Sequence, residues 1–296
     1  QQEKLAKLGH TLTIHERTED PTKQLAAIGN AEALIVANMP LAQSAVEQAP
    51  NLAFIDVAFT GVDHIPVETA KARNIAVSNA SGYATEAVAE LTIGFMIGLL
   101  RSVPQAQTRC RDGQTKAGLS ANLLANKTVG IIGAGAIGKR VAELAHAFGC
   151  KTLAYNRSAV STPAIDAQVD LETLLRESDI VTIHCPLTPE TRGLIGEEAL
   201  ATMKNTAYLI NTARGPVVDE AALAHALCQG EIAGAACDVF TTEPPLPADN
   251  PLLHAPNCIV TPHLGFYTQE SMEQRAEIVF DNLYAWLDGN QQNVIC

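Results

Sequence analysis

Three short segments carry side chains that could act together on a small molecule. They are Asn211-Thr212-Ala213-Arg214-Gly215, Asp238-Val239-Phe240-Thr241-Thr242-Glu243-Pro244-Pro245 and Thr261-Pro262-His263-Leu264-Gly265. Histidine titrates near neutrality and suits proton transfer. A carboxylate beside it favours the protonated ring and fixes the tautomer. A guanidinium matches a carboxylate in a two-pronged fork. Alone, each residue is ordinary: a single Arg is usually a surface charge, and a single His is more often structural. Each segment, however, follows an apolar run that reads as a strand, and open α/β sheets bind ligands beyond the carboxyl ends of their strands. This joint placement singles out Arg214, Glu243 and His263.

A fourth segment names the cofactor class. Val129-Gly130-Ile131-Ile132-Gly133-Ala134-Gly135-Ala136-Ile137-Gly138 is an apolar strand entering G-x-G-x-x-G and then a helix. Strand, turn and helix are the context that dinucleotide binding requires of this pattern. Gly133 permits the tight turn, Gly135 lets the backbone approach a pyrophosphate, and Gly138 lets helix and strand pack closely. The helix N-terminus adds free N–H donors and partial positive charge. The Arg, Glu and His segments then fall near the nicotinamide end. An acidic residue for the adenosine ribose is expected roughly 20 residues further on. The next strand ends instead in Tyr155-Asn156-Arg157-Ser158. A carboxylate would repel a 2′-phosphate, whereas Asn156, Arg157 and Ser158 donate hydrogen bonds to one and Arg157 adds charge. This favours NADP over NAD.

These groups need a scaffold. The chain has 296 residues, which suggests two domains at ~100–200 residues each. With 47% hydrophobic and 18% charged residues it has globular rather than disordered composition. Strands are expected at residues 12–14, 33–37, 52–57 and 75–77, with helices between them such as 66–73. A long helix follows, with Thr85 as N-cap and Glu86 in its first turn. Its apolar part, residues 87–100, contains Glu90 and is shorter than the ~20 residues that cross a bilayer, so it reads as a buried core helix. From Arg101 to Asn126 the pattern blurs, and a domain crossing is expected there. A second series of strands is expected at residues 128–132, 151–155, 179–184, 207–211, 233–238 and 259–261. The last helix, 269–287, is amphipathic and is expected to return to the first domain. Alternation of this kind predicts parallel sheets covered on both faces.

The net charge of −12 disfavours a nucleic-acid partner, which needs clustered Lys and Arg. Seven cysteines, an odd count without C-x-x-C or zinc-type spacing, read as free thiols of a reducing cytosol, with no metal site. No signal peptide is visible. The chain opens without Met on a helical-looking stretch, so missing N-terminal residues are expected.

In combination these motifs closely resemble the D-isomer-specific 2-hydroxyacid dehydrogenases, over nearly the whole chain. The resemblance adds Thr60-Gly61-Val62-Asp63-His64, Val88-Ala89-Glu90 and His184-Cys185-Pro186-Leu187-Thr188-Pro189-Glu190-Thr191. It implies a Rossmann-type doubly wound domain, residues 98–268, inserted into a smaller flavodoxin-like α/β substrate domain made of residues 1–97 and 269–296. It also implies a homodimer formed through the cofactor domain. Matched residue by residue, Arg214 holds the substrate carboxylate and 2-oxo group, and His263 is the proton donor and acceptor with Glu243 as acidic partner. Thr60 and Gly61 offer backbone donors to the carboxylate. Gly133, Gly135, Ala136, Ile137 and Gly138 surround the pyrophosphate. Cys185, Pro186, Thr212 and Asp238 line the cofactor, with Asp238 near the nicotinamide amide and Cys185 not a nucleophile.

The chemistry fits. Reducing a 2-oxo acid adds a hydride to carbon, carried by the cofactor, and a proton to oxygen. Formate dehydrogenases resemble this pattern but carry Gln as the His partner, so Glu243 points to hydroxyacid chemistry. Reduction of glyoxylate or hydroxypyruvate is the expected activity. The alternatives are an NAD-linked lactate, glycerate or phosphoglycerate dehydrogenase, a phosphite dehydrogenase, or a dinucleotide-sensing corepressor of the same fold. Two departures stand out: Asn156 replaces the family's usual acidic residue, and Phe266-Tyr267 stand where small residues are common, which narrows the expected substrate pocket.

Overall fold

The computed structural model describes every residue of the chain except Pro244. In chain order the elements begin α1 (Gln2–Lys7), α2 (Pro21–Ile28), β1 (Ala33–Val36), α3 (Gln43–Gln48), β2 (Phe54–Val57), α4 (Val67–Ala72) and β3 (Ala76–Asn79). They continue α5 (Thr85–Leu100), α6 (Val103–Arg111), β4 (Thr128–Ile132), α7 (Ala136–Ala147), β5 (Lys151–Tyr155), β6 (Ala167–Gln168) and α8 (Leu171–Glu177). The rest are β7 (Ile180–Ile183), α9 (Glu197–Thr202), β8 (Tyr208–Asn211), α10 (Glu220–Gln229), β9 (Gly234–Cys237), β10 (Cys258–Val260) and α11 (Gln269–Leu287).

The chain divides into two compact units. One comprises Gln1–Ala84 and Gln269–Cys296, and the other Thr85–Thr268. In the first, β1, β2 and β3 form a parallel sheet in that order. The strand expected at residues 12–14 does not form. The alternation there is only three residues long, and Ile14 is 79% exposed, so no buried face fixes a register. Helix α11 covers this sheet, with Trp286 stacked on Phe54 at 4.9 Å between ring centroids. The C-terminal tail runs antiparallel along β3, where Val77 donates to the Cys296 carbonyl and Ile295 to that of Val77. Asp56, buried in β2, accepts from Asn282 of α11, and burial pushes its carboxyl up to about 7. Asn282 also donates to the Asn79 carbonyl, and Asn79 in turn donates to the Thr60 carbonyl.

The second unit holds a seven-stranded parallel sheet in the order β10-β9-β8-β7-β4-β5-β6. Its inner strands β7 and β9 are buried along their whole length, which is why they read as continuous apolar runs. The strand order reverses between β4 and β7, the switch point where doubly wound sheets bind ligands. Helix α5 is apolar on most of its circumference and is buried in this unit against α7, β8 and β9. The larger compact unit begins at Thr85, so α5 lends its whole length to that core, whereas the resemblance implies a cofactor domain starting at residue 98. The polar stretch expected to cross between domains contains helix α6 instead of a bare linker. Among the described residues no single helix is long and apolar enough to cross a membrane. All seven cysteines are free.

Candidate active site

The phosphate loop follows β4 at the switch point. Gly133 has φ +91°, and a Cβ there would lie 2.6 Å from the backbone nitrogen of Cys185. A Cβ on Gly138 would lie 2.1 Å from the Gly133 carbonyl oxygen, so only glycine lets α7 start this close to the strand. Around Gly135, by contrast, nothing lies within 4 Å of the place a Cβ would occupy, and no side chain caps α7. Exposed N–H groups at the start of a twelve-residue helix, under open space, suit a pyrophosphate. These residues fit a dinucleotide.

At the end of β5, the side chain of Asn156 is bound within the protein. Its Oδ1 accepts from the Ala134 N–H at 3.1 Å, which ties the ribose-side loop to the phosphate loop. Its Nδ2 donates to the Ser158 carbonyl at 3.0 Å and to Ser158 Oγ at 3.1 Å. Arg157 is exposed. The Glu190 carboxyl is held below its ordinary range, first by a hydrogen bond from Thr188 and to a lesser degree by the charge of Arg157.

Across the switch point, burial pushes the Cys185 thiol up to about 11, so it stays protonated at neutral pH. Beside it, His184 Nε2 lies 2.9 Å from Thr182 Oγ1, and burial pushes the imidazole down to about 3, so the ring is neutral. Pro186 is exposed, and its carbonyl accepts from Thr191 Oγ1 at 2.7 Å.

Arg214 follows β8 in extended conformation. Buried Asn211 brackets its turn, accepting from the Ala213 N–H and donating to the Arg214 carbonyl at 2.9 Å. The guanidinium donates to the Ala213 carbonyl at 2.8 Å. A Cβ on Gly215 would sit 1.8 Å from the Phe240 carbonyl carbon, so glycine is what lets the Arg214 turn abut the loop after β9. Thr212 is buried, with its hydroxyl 3.1 Å from that of Thr92 on α5.

His263 lies 2.9 Å through Nδ1 from Glu243 Oε2. An ionised carboxylate only accepts, so Nδ1 carries the proton and Nε2 is the ring nitrogen left for a substrate. His263 has φ +58°, a left-handed conformation that is uncommon outside glycine. Its backbone N–H donates to the carbonyls of Asp238 at 2.8 Å and Thr261 at 3.0 Å. Asp238 is fully buried and accepts from Thr261 Oγ1 at 2.6 Å and from the Leu264 and Gly265 N–H groups at 2.7 Å each. Burial raises its carboxyl above the ordinary range, and those three bonds oppose the rise. Phe266 meets the His263 ring edge-on at 5.2 Å. On the other side Glu220 accepts from the Thr241 N–H, and at 2.9 Å from Asn250, fixing the loop that carries Glu243.

The larger unit thus brings His263 and Glu243 into contact and anchors both loops. Thr60 and Gly61 belong to the smaller unit, after the carboxyl end of β2, and neither backbone N–H finds a partner among the described residues. Sequence reasoning misses Asp238 as anchor of the histidine loop and Glu220 as anchor of the glutamate loop. A carboxylate at the end of an all-apolar strand is the available signal for the first, since a buried charge must be hydrogen-bonded. Pro244, part of the expected motif, lies outside the described residues. Those residues contain no group of three or more His, Cys, Asp or Glu placed to hold a metal ion.

A doubly wound sheet with a dinucleotide loop at its switch point and a carboxylate-paired histidine beyond its strands defines a nicotinamide-dependent oxidoreductase. The family model described as D-isomer specific 2-hydroxyacid dehydrogenase, NAD binding domain, matches residues 93–265. A glycerate dehydrogenase of Methylorubrum extorquens is 40% identical over 295 residues, covering 97% of this chain and 92% of that protein. A glyoxylate reductase of Thermofilum pendens is 44% identical over 253 residues, covering 82% and 74%. Among solved structures, an acyclic imino acid reductase in complex with NADPH and D-Arg superposes with a TM-score of 0.92 at 30% identity, covering 98% and 94%. The chain belongs to the D-isomer-specific 2-hydroxyacid dehydrogenase family and has 2-hydroxyacid dehydrogenase function.

Proposed function

We propose that the protein reduces small 2-oxo acids, with glyoxylate or hydroxypyruvate favoured, to D-2-hydroxy acids, and that it prefers NADPH to NADH. The observation that carries the reading is the His263–Glu243 pair, 2.9 Å apart in the same unit as the glycine loop. When bound, a reduced nicotinamide supplies the hydride. Gly133, Gly135, Ala136, Ile137 and Gly138 hold the pyrophosphate, and Cys185, Pro186 and Thr212 line the cofactor. Arg214 binds the substrate carboxylate and polarises the 2-oxo group, joined by the Thr60 and Gly61 N–H groups. His263 delivers its Nε2 proton to the carbonyl oxygen, and Glu243 stabilises the imidazolium that must exist before transfer. Asp238 keeps the histidine loop in its strained turn, and Phe266 limits room beside the ring.

Glu243→Gln tests the acid–base pair. The amide keeps the shape of the side chain but removes the carboxylate that pairs with Nδ1 of His263 at 2.9 Å, so kcat for reduction should fall roughly ten- to a hundredfold with cofactor affinity retained. An unchanged kcat would mean that the two side chains do not act together.

Cofactor choice rests on Arg157 and on the missing carboxylate at Asn156. A 2′-phosphate carries nearly two negative charges at neutral pH. A charge-assisted hydrogen bond is worth ~1.5–3 kcal/mol, and exposure and salt pull this toward the low end. Arg157→Ala should weaken kcat/KM for NADPH about tenfold more than for NADH. Equal losses, or a parent enzyme that already prefers NADH, would remove the phosphate pocket. A panel of 2-oxo acids run with both cofactors tests the activity itself.

We also assign residues 98–268, extended to the whole of α5, as the cofactor domain, and the remainder as the substrate domain. Exposed Val103, Leu123 and Phe148 on the cofactor domain support homodimerisation through it. Seven free thiols support a cytoplasmic location, and the net charge of −12 argues against nucleic acid or an anionic membrane as partner.

A further inference from the structure

The smaller unit buries an acid that the reaction above does not use. Asp56 sits on the middle strand of the β1-β2-β3 sheet and is fully buried. Its Oδ1 accepts from Asn282 at 3.1 Å, and its Oδ2 has no hydrogen-bond partner among the described residues. Opposite it in register stand Ile35 and Ser78. The Ser78 hydroxyl is already committed, donating to the Gln292 carbonyl at 2.6 Å and accepting from Gln291 at 3.2 Å. Strands β1 and β3 carry no titratable side chain. On α11, Glu270, Glu273, Glu277 and Asp281 are exposed, and the Arg275 guanidinium lies over the rings of Phe59 and Tyr83. The tail beside β3 brings the thiol and terminal carboxyl of Cys296, neither of them a cation. A fully buried carboxylate with one hydrogen bond and no cation is costly, so the neutral acid is the form that fits. Burial accordingly pushes the carboxyl up to about 7, opposed by the Asn282 bond.

The bonds that lead away from Asp56 end at the turn assigned above to the substrate carboxylate. Asn282 gives one Nδ2 hydrogen to Asp56 and the other to the Asn79 carbonyl at 3.0 Å. Its Oδ1 accepts from Asn293 at 2.8 Å. An amide has two N–H donors, so Asn282 has none to spare. Asn79, also buried, donates from its own Nδ2 to the Thr60 carbonyl at 2.7 Å. The other tie on exposed Thr60 is long, 3.5 Å from its hydroxyl to the Ala80 carbonyl. Every member of this relay belongs to Gln1–Ala84 or Gln269–Cys296, a single compact unit.

We infer that Asp56 is a positioning residue whose protonated carboxyl, through Asn282 and Asn79, holds the Thr60-Gly61 turn in place to bind a substrate carboxylate. The inference rests on the 2-oxo acid reading above. When Asp56 loses its proton, the buried charge demands more donors, and Asn282 is the one already in contact. Asn282 meets that demand only by withdrawing from Asn79, which releases the residue that holds Thr60. Binding of the 2-oxo acid therefore weakens as pH rises through the Asp56 midpoint. No covalent step is added.

The test is kcat/KM for glyoxylate across the neutral range, at saturating cofactor, in the parent, Asp56→Asn and Asn79→Ala. All three keep His263 and Glu243, so the titration of that pair cancels in ratios of one enzyme to another. Asn has the shape of the neutral acid, and Asp56→Asn should match the parent on the acid side of the midpoint. On the alkaline side the parent should fall roughly tenfold below that variant, through KM, at the low end for a hydrogen bond to a charged group. Asn79→Ala cuts the relay beyond Asp56. It should lie roughly tenfold below the parent on the acid side and draw level with it on the alkaline side. An Asp56 that only supports the fold would change Tm and leave both ratios flat with pH. A ratio of parent to Asp56→Asn that stays constant within about threefold overturns the inference while glyoxylate is still reduced. Should that variant not fold, a ratio of parent to Asn79→Ala that stays equally constant does the same. Failure of the parent to reduce glyoxylate or hydroxypyruvate at any pH overturns the 2-oxo acid reading, and this inference with it.

Discussion

Replacing His263 with alanine should slow 2-oxo acid reduction by roughly two to four orders of magnitude, the usual worth of a positioned acid–base group. The loss should fall on kcat, because the proton is needed only as charge develops on the carbonyl oxygen. Cofactor affinity should stay near that of the parent. The phosphate loop is built from Gly133, Gly135 and the start of α7 and owes nothing to the His263 side chain. The structural cost should also be small, since the residue is partly exposed and its backbone, not its ring, carries the bonds to Asp238 and Thr261. Histidine already bears the Cβ penalty of the left-handed turn, so alanine adds little strain and Tm should change little. Steady-state kinetics with a direct cofactor titration separates the two quantities. Turnover within tenfold of the parent would remove His263 from the reaction.

Asp238→Ala should cost both activity and stability, in a pattern that distinguishes an anchor from a cofactor contact. The carboxylate accepts from Thr261, Leu264 and Gly265, and all three donors lose their partner at once. An unsatisfied buried donor costs ~1–3 kcal/mol, so a total of about 3–5 kcal/mol is expected after local relaxation. The turn that holds His263 at φ +58° loses what stabilises it, and kcat should fall about a hundredfold as the imidazole leaves its place beside Glu243. If Asp238 acts through the histidine loop, cofactor affinity should change far less than kcat. A variant whose defect lies in cofactor affinity, with kcat preserved at saturation, would restore Asp238 to the nicotinamide amide. Asp238→Asn is the milder probe: it keeps one acceptor and sets an N–H₂ group against one of the two backbone N–H donors, so it should lie between parent and alanine.

How much of this is legible in the sequence depends on the range of the forces involved. Strands β4 and β5 and helix α11 lie where expected, residue for residue, because burial on both faces or along one stripe leaves a local pattern. The glycine loop is legible for the same reason: each glycine answers a steric demand made within a few residues or by the adjoining strand. Strand β6, only two residues long, leaves no period to detect. Residues 12–14 offer alternation without a partner to bury it. Helix α5 is recognisable as a core helix, but its allegiance is not, since an all-apolar surface does not say which core it enters. Arg214, Glu243 and His263 stand out through strand ends and motif order. The carboxylates that hold their loops do not, because Asp238 and Glu220 act on residues about 20 to 30 positions away, through bonds that exist only once the sheet is assembled.

If a bound nicotinamide supplies hydride to C2 of a 2-oxo acid while His263 protonates the carbonyl oxygen, the product carries the cofactor's hydrogen and the D configuration. Hydroxypyruvate reduced with a cofactor deuterated at the transferred position, with chiral analysis of the glycerate formed, should give D-glycerate with deuterium at C2. L-glycerate, or a C2 hydrogen drawn from solvent, would exclude this chemistry.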